Sequence, residues 1–150
     1  MNLVKDFNRE EIEKSILNSS LESSIYIGCD SQVIKGKTDF VTVLIVHFDT
    51  KHGAKIFYQR HSEKRRMAMV ERLWKEVELV ANLAVEYAPM IEPRHLSVHL
   101  DLNPDKRHRS NTIIQEAVGY IRGLGFDVQV KPDAFASSHA SDHLVKNKIK

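Results

Sequence analysis

The apolar positions in the first 60 residues predict one helix followed by three strands. Ile12, Ile16 and Leu17 fall on one helical face, so their spacing predicts a helix at about 8–18. Three runs rich in β-branched and aromatic residues follow, separated by short polar turns. These runs span residues 24–32, 40–48 and 54–60. Strands joined by such short turns run in opposite directions, so the pattern predicts a three-stranded antiparallel meander.

The rest of the chain predicts helices that alternate with strands. A long helix is predicted to begin at Ser62 and to stop at Pro89 and Pro93, because apolar residues recur at helical spacing before them. The later predicted elements are a strand at 95–102, a helix from Ser110 or Asn111 to Gly123, a strand at 126–130 and a helix at 136–148. Strands separated by helices in this way need parallel crossovers. We therefore expect a single α/β domain over residues 1–150, with a mixed five-stranded sheet flanked by helices.

The composition narrows the class of protein. With 42% hydrophobic and 28% charged residues, the 150-residue chain has the balance of a globular domain. Cys29 is the single cysteine, which excludes an internal disulfide and a four-cysteine zinc site and favours a reducing, cytoplasmic location. The sequence contains no apolar run of about 18 residues, so no membrane span is predicted. The formal net charge of +2 is too small to indicate a class of binding partner. The placement of the charged residues along the chain is therefore the more informative feature.

Acidic residues from distant parts of the chain are expected to meet at one edge of the sheet. Asp30 lies near the end of the first strand of the meander, Asp101 lies near the end of strand 95–102, and Asp142 lies early in the last helix. The carboxyl ends of parallel strands form the edge where open α/β sheets usually bind ligands. Clustered carboxylates repel one another unless cations neutralise them, and Mg²⁺ prefers such oxygen ligands. Asp30 and Asp142 also have simpler interpretations, as a turn residue and as a charge near a helix N-terminus.

Three groups of basic residues are predicted beside these carboxylates. They are Lys64, Arg65 and Arg66 at the start of the long helix, Lys106, Arg107 and Arg109 after strand 95–102, and Lys131 after strand 126–130. Each group alone is typical of a solvated surface. Three groups at one edge suit a phosphate backbone, because Lys and Arg gain affinity there by releasing counterions. The expected partner is therefore nucleic acid, as RNA, DNA or a hybrid.

Four short segments carry a resemblance to a known family. They are IYIGCDSQ at 25–32, HLD at 99–101, KPD at 131–133 and ASD at 140–142. Together with the order of the elements, these segments resemble the YkuK-type branch of the ribonuclease H-like superfamily. The resemblance implies a ribonuclease H fold and a nuclease that depends on Mg²⁺ or Mn²⁺. It also implies that Asp30, Asp101 and Asp142 hold the metal.

The resemblance adds two further candidates. His139 precedes Asp142 by three residues, a spacing similar to the His-x-x-Asp of resolvase-like members, and is expected to assist proton transfer. Members of the superfamily place a glutamate near the start of the long helix, which favours Glu71 over Glu76 or Glu78. The apolar periodicity puts Glu71 at the border of the buried stripe, which also suits a solvated residue.

The expected function is hydrolysis of phosphodiester bonds by a divalent-metal-dependent nuclease. The alternative is a catalytically idle module with the same fold that binds nucleic acid or a protein. The sequence leaves open the substrate, the choice between endo- and exonuclease cleavage, and the oligomeric state.

Overall fold

A computed structural model of the protein describes residues 2–49, 53–100 and 111–130. These residues form six strands and three helices. In chain order they are β1 (Asn2–Lys5), α1 (Arg9–Leu17), β2 (Ser24–Ile34), β3 (Lys37–Asp49), β4 (Gly53–Glu63), α2 (Met69–Ile91), β5 (His95–Leu100), α3 (Asn111–Gly123) and β6 (Asp127–Val130). The predicted final helix at 136–148 lies outside the described residues. Among those residues, no helix is long and apolar enough to cross a membrane.

The strands form one mixed sheet in the order β1-β4-β3-β2-β5-β6. β2, β3 and β4 pair as the predicted antiparallel meander. β5 and β6 are parallel to their neighbours, as the alternation of helices and strands requires. The α/β class and the mixed sheet are thus confirmed, with β2 at the junction between its antiparallel and parallel parts.

The predicted strand count of five is wrong, because β1 adds a sixth strand. β1 is four residues long and pairs in parallel with β4, with Leu3 beside Ile56 and Val4 beside Phe57. So short a segment has no periodicity of its own, and its extended form comes from the hydrogen bonds that β4 provides.

The first helix confirms its prediction to within a residue at each end. Asn8 caps α1, and its side-chain Oδ1 accepts a hydrogen bond from the backbone N–H of Glu11 at 3.1 Å. Ile12 and Ile16 are fully buried, and Phe7 packs against the same core. A residue before the cap that packs with one in the first turns fixes the entry angle of the helix.

The boundary between β4 and α2 differs from the prediction that the long helix begins at Ser62. β4 continues to Glu63, because its ladder with β3 extends to the pair Thr38–Glu63. The helix begins only at Met69, so Lys64, Arg65 and Arg66 lie in a connecting loop rather than in the helix. The helix also passes through Pro89 and ends at Ile91. Pairing with β3 overrides the local helix-start signal of Ser62 and Glu63.

The turn between β2 and β3 is tighter than the polar segment 34–39 suggests. Only Lys35 and Gly36 lie outside the two strands, with φ angles of 51° and 77°. Positive φ at both central residues is the type I′ geometry that matches the twist of a hairpin. The two strands therefore run to Ile34 and from Lys37 as one long hairpin.

The two faces of the sheet have different surroundings. α2 packs on β2, β3 and β5, and α1 and α3 pack beside α2 on the same side. The larger core lies between this helical layer and the sheet and includes Ile25, Ile27 and Cys29 of β2. A second buried cluster on the other face contains Val41, Val43, Ile45, Ile56 and Tyr58. Because side chains alternate along a strand, Cys29 and Ser31 face α2 and Asp30 faces the second cluster.

Candidate functional site

Asp30 lies within β2 and not at its end, since the strand continues to Ile34. Its side chain is half-buried, and Oδ1 accepts the backbone N–H of Ser31 at 2.9 Å. Val41 of β3 is its register partner, and Arg60 of β4 is the partner of Val41. Asp30, Val41 and Arg60 therefore form one row across three strands on the face opposite α2.

The parallel pair β2–β5 sets the surroundings of Asp30 on its other side. Leu100 is the register partner of Cys29, so the residue before Asp101 is paired with the residue before Asp30. Asp101 itself lies outside the described residues. Asp142, His139, Lys106, Arg107, Arg109 and Lys131 lie outside them too.

Glu71 is in the first turn of α2 and is exposed. Its carboxylate oxygens accept hydrogen bonds from the two terminal nitrogens of Arg65, at 2.9 and 2.5 Å. This ion pair lowers the pKa of Glu71, chiefly through the hydrogen bond from Arg65. Glu71 is thus ionised and engaged by a cation at the protein surface.

Glu76 is the buried glutamate of α2, with 5% of its surface exposed. Its Oε2 accepts a hydrogen bond from the hydroxyl of Ser31 at 2.7 Å. Arg72 lies one turn earlier and donates from Nε to the Ser31 hydroxyl at 3.1 Å and from Nη2 to the Ser31 carbonyl at 3.2 Å. These bonds attach α2 to β2 at the residue that follows Asp30.

The burial of Glu76 has a signal in the sequence. Glu76 lies on the same helical stripe as Leu73, Val77 and Val80, all of which are buried in the larger core. A charged residue inside an apolar stripe is buried only with a partner, so its position indicates a specific contact. The family resemblance instead favours a glutamate near the start of the helix, which is Glu71.

His99 lies on the same face of the sheet as Asp30. It is the register partner of Gly28, two residues before Asp30, and its ring lies 4.8 Å from the ring of Tyr26. Only 2% of its surface is exposed, and burial, aided by the nearby His95, lowers its pKa to about 4. At neutral pH the imidazole of His99 is therefore uncharged.

Cys29 is buried against α2, and the hydroxyl of Thr42 donates to its Sγ at 3.6 Å. Burial raises the pKa of the thiol well above its usual value, and the carboxylate of Glu76 adds to this effect. Thiols react and bind metal as thiolates, so Cys29 has the properties of a structural residue.

The predicted metal site draws its ligands from both described and undescribed parts of the chain. Among them, no group of three or more His, Cys, Asp or Glu side chains lies close enough to hold an ion. Two of the three predicted ligands, Asp101 and Asp142, are outside those ranges. Asp30 is the predicted ligand that the structure describes, and a half-buried carboxylate is the donor that Mg²⁺ and Mn²⁺ prefer.

A comparison of sequences identifies the class of protein. A family model described as Ribonuclease H-like matches residues 8–146, so the chain belongs to the ribonuclease H-like family. Within that class it is similar to the protein named Uncharacterized protein YkuK from Bacillus subtilis (strain 168). The two are 27% identical over 139 residues, which cover 80% of this chain and 77% of that protein. The YkuK-type resemblance is thus confirmed.

Solved structures give weaker likenesses. The N-terminal RNase H domain of Rv2228c from Mycobacterium tuberculosis, a fusion with maltose-binding protein, is 11% identical, with a TM-score of 0.42. That match covers 85% of this chain and all of the other. NurA solved with manganese is 10% identical, with a TM-score of 0.30, over 93% of this chain and 42% of NurA. The family assignment rests on the sequence matches.

Proposed function

We propose that the protein is a divalent-metal-dependent nuclease that hydrolyses phosphodiester bonds of RNA, DNA or a hybrid. The observation that carries this proposal is the placement of Asp30, half-buried on the central strand of a ribonuclease H-like sheet. Asp101 follows Leu100 as Asp30 follows Cys29, and Leu100 and Cys29 are register partners in adjacent parallel strands. In this proposal, both aspartates bind the same Mg²⁺ or Mn²⁺.

The remaining roles follow from the chemistry of each side chain. Asp142 completes the carboxylate set, and His139 moves a proton near the scissile bond. A metal held by these carboxylates would supply an activated water and would stabilise the leaving oxygen. Lys64, Arg65 and Arg66, together with Lys106, Arg107, Arg109 and Lys131, bind the phosphate backbone and orient the strand for in-line attack.

Glu76 is the better candidate for the helix carboxylate than Glu71. Glu76 is bonded to Ser31, directly after Asp30, whereas Glu71 is exposed and held by Arg65. Glu76 contacts β2 on the face that packs on α2, whereas the side chain of Asp30 lies on the opposite face. In this proposal the two carboxylates share one site at the edge of β2 that faces β5. Glu78 is exposed and lies 3.5 Å from Lys75, which suits a surface ion pair.

Cleavage of labelled RNA, DNA and hybrid substrates with Mg²⁺ or Mn²⁺ tests the proposal, with Mn²⁺ binding followed by electron paramagnetic resonance. Asp30→Asn and Asp101→Asn are each expected to abolish cleavage and to weaken Mn²⁺ binding at least tenfold. Asp39→Asn is the matched control, because Asp39 is a half-buried aspartate on the neighbouring strand. If Asp30→Asn cleaves as well as Asp39→Asn, the proposal is wrong.

The pair Glu76→Gln and Glu71→Gln distinguishes the two glutamates. Gln keeps the size of each side chain and can still accept the hydrogen bond from Ser31 or Arg65. We expect Glu76→Gln to lower cleavage at least a hundredfold, and Glu71→Gln to lower it less than threefold. Thermal melts of both variants separate a loss of activity from a loss of folding. A larger loss of cleavage in Glu71→Gln than in Glu76→Gln would identify Glu71 as the helix carboxylate of the site.

The idle binding module remains the competing hypothesis. It predicts that the wild-type protein binds oligonucleotides or a protein partner without binding Mn²⁺ and without cleaving any of the substrates. The binding-module hypothesis would be favoured over the nuclease hypothesis by two results together: oligonucleotide or protein binding that needs no metal and persists in Asp30→Asn, and no cleavage by any variant.

A further inference from the structure

Ser31 forms hydrogen bonds with both of the carboxylates that the proposed function places on β2 and α2. Its backbone N–H donates to Oδ1 of Asp30 at 2.9 Å, and its hydroxyl donates to Oε2 of Glu76 at 2.7 Å. The side chains of Asp30 and Ser31 lie on opposite faces of β2, so Ser31 contacts one carboxylate with its main chain and the other with its side chain. A single residue therefore fixes the position of Asp30 relative to Glu76.

Arg72 holds Ser31 through two donors. Its Nε donates to the Ser31 hydroxyl at 3.1 Å, and its Nη2 donates to the Ser31 carbonyl at 3.2 Å. A guanidinium can only donate, so the hydroxyl accepts from Arg72 and its single proton is left for Glu76. Because the guanidinium is planar and rigid, the two bonds fix the backbone and the side chain of Ser31 together.

We call Ser31, Arg72 and Glu76 the polar network, and it is shielded from water. Only 7% of the surface of Ser31 and 5% of that of Glu76 are exposed, and Arg72 is half-buried. Hydrogen bonds are stronger in such surroundings than in water, and a buried polar group that loses its partner costs free energy. We therefore expect the polar network to hold one geometry before any metal binds.

The packing of α2 on the sheet does not need the charges of the polar network. Leu73, Val77 and Val80 of the same helix are buried in the larger core and supply apolar contacts. Buried ionic side chains often add nothing to stability compared with apolar side chains of similar size. The charges of Arg72 and Glu76 are thus better explained by a role in the site than by the attachment of α2.

We propose that Ser31 and Arg72 are positioning residues, which orient the carboxylates of Asp30 and Glu76 toward a divalent cation. This inference rests on the proposed function for the identity of the metal ligands. Neither Ser31 nor Arg72 contacts the cation in this proposal, and both act through the carboxylates. Groups that donate hydrogen bonds to metal ligands typically contribute about ten- to hundredfold to metal affinity, because they hold each ligand in the orientation that the ion requires.

The affinity for Mn²⁺, measured by electron paramagnetic resonance, tests the inference with Ser31→Ala, Arg72→Met and the double variant. Each single variant is expected to raise the Kd for Mn²⁺ about tenfold. Because Arg72 acts through Ser31, the double variant is expected to bind Mn²⁺ about as weakly as either single variant. Ser31→Thr keeps the hydroxyl and is expected to bind like the wild type.

Two matched controls remove similar side chains outside the polar network. Ser97 is a buried serine on the neighbouring strand β5, and its hydroxyl has no hydrogen-bond partner among the described residues. Lys75 is a cation of α2 that pairs with Glu78 at 3.5 Å. Ser97→Ala and Lys75→Met are both expected to bind Mn²⁺ like the wild type. Thermal melts of every variant identify any effect on folding.

Hydrogen exchange at the Nε–H of Arg72 gives a second measurement, which uses the metal-free protein. The bond to the buried Ser31 hydroxyl protects this proton, so nuclear magnetic resonance is expected to show slow exchange in the wild type. Ser31→Ala is expected to raise the exchange rate about tenfold, whereas Ser97→Ala leaves it unchanged. Fast exchange in the wild type would contradict the rigid network on which the inference depends.

Three results for Mn²⁺ binding would overturn the inference. They are network variants that bind like the two controls, effects on log Kd that add in the double variant, and a wild-type protein that binds no Mn²⁺. Only the last of these also removes the metal site of the proposed function. If Asp30→Asn loses Mn²⁺ binding while Ser31→Ala and Arg72→Met keep it, the positioning role alone is wrong. Variants that melt at a lower temperature but bind Mn²⁺ normally would show that the polar network only attaches α2 to β2.

Discussion

The buried histidine beside Asp30 makes the stability of the protein depend on pH. His99 has a pKa of about 4 in the folded state, against an ordinary value of 6.5. Between these values the unfolded chain binds a proton that the folded protein does not, so unfolding is favoured as the pH falls. The stabilisation from neutral His99 is present above pH 6.5, is lost progressively as the pH falls below 6.5, and is fully lost below about pH 4.

The size of the effect follows from the two pKa values. The whole difference corresponds to about 3 kcal/mol in the free energy of unfolding. Between pH 7 and pH 5 the loss is about 2 kcal/mol, because nearly all unfolded chains are protonated at pH 5 and the folded protein is not. For a domain with a total stability of about 5–15 kcal/mol, this is a measurable fraction.

Urea unfolding at several pH values, followed by the fluorescence of Trp74, measures this contribution. Trp74 is the single tryptophan and is half-buried against the core. Carboxylates of the protein also titrate in acid, so the relevant quantity is the difference between wild type and His99→Gln in the pH dependence of the free energy of unfolding. The variant is expected to lose about 2 kcal/mol less than the wild type between pH 7 and pH 5.

A control variant and an independent measurement make the test decisive. His61→Gln removes a largely exposed imidazole and controls for the loss of a histidine in general. A titration of the His99 ring by nuclear magnetic resonance gives the midpoint directly and is expected near pH 4. Equal pH dependence in wild type and His99→Gln, or a midpoint near 6.5, would refute the physical reasoning.

Three further predictions concern buried contacts. Thr38→Val removes both hydrogen bonds that hold the loop before α2, so we expect it to lower the free energy of unfolding by about 2 kcal/mol in a urea titration. Thr42→Val is the control, because it loses only a weak hydrogen bond to sulfur. In the same titration it is expected to lower the free energy of unfolding by less than about 1 kcal/mol. Arg94→Met leaves the carbonyls of the segment after α1 without their buried donor, and the loss is expected to be about 3 kcal/mol by urea unfolding. Cys29 is expected to react with an aromatic disulfide reagent only as fast as the protein opens, so a rapid reaction in native buffer would contradict its burial.

The strongest periodic patterns predicted their elements best. The β-branched run within β3 and the long apolar stripe of α2 each bury a continuous face, so the pattern alone identifies the element. Boundaries depended on partners that the sequence does not show. Residues 61–63 became strand because β3 provides a ladder for them, and β1 became strand because β4 does.

The site shows the same division between local pattern and tertiary contact. The sequence predicts the strand that carries Asp30, whereas the place of that strand between β3 and β5 and its continuation to Ile34 come from pairing with its neighbours. The choice between Glu71 and Glu76 depends on which face of α2 packs on Ser31. The predicted start of the helix lies several residues before the observed start at Met69, so the prediction does not show which glutamate lies on that face.

The central place of β2 also has a consequence for the order in which the protein assembles. On one side its partner β3 follows after a two-residue turn, so that pairing closes almost no loop. On the other side its partner β5 comes after β3, β4 and the whole of α2, and closing that loop costs more chain entropy. We expect hydrogen-exchange labelling during refolding to protect the amides between β2 and β3 first. The parallel seam next to Asp30 is then among the last contacts to form, which makes it the part most sensitive to an interrupted folding reaction.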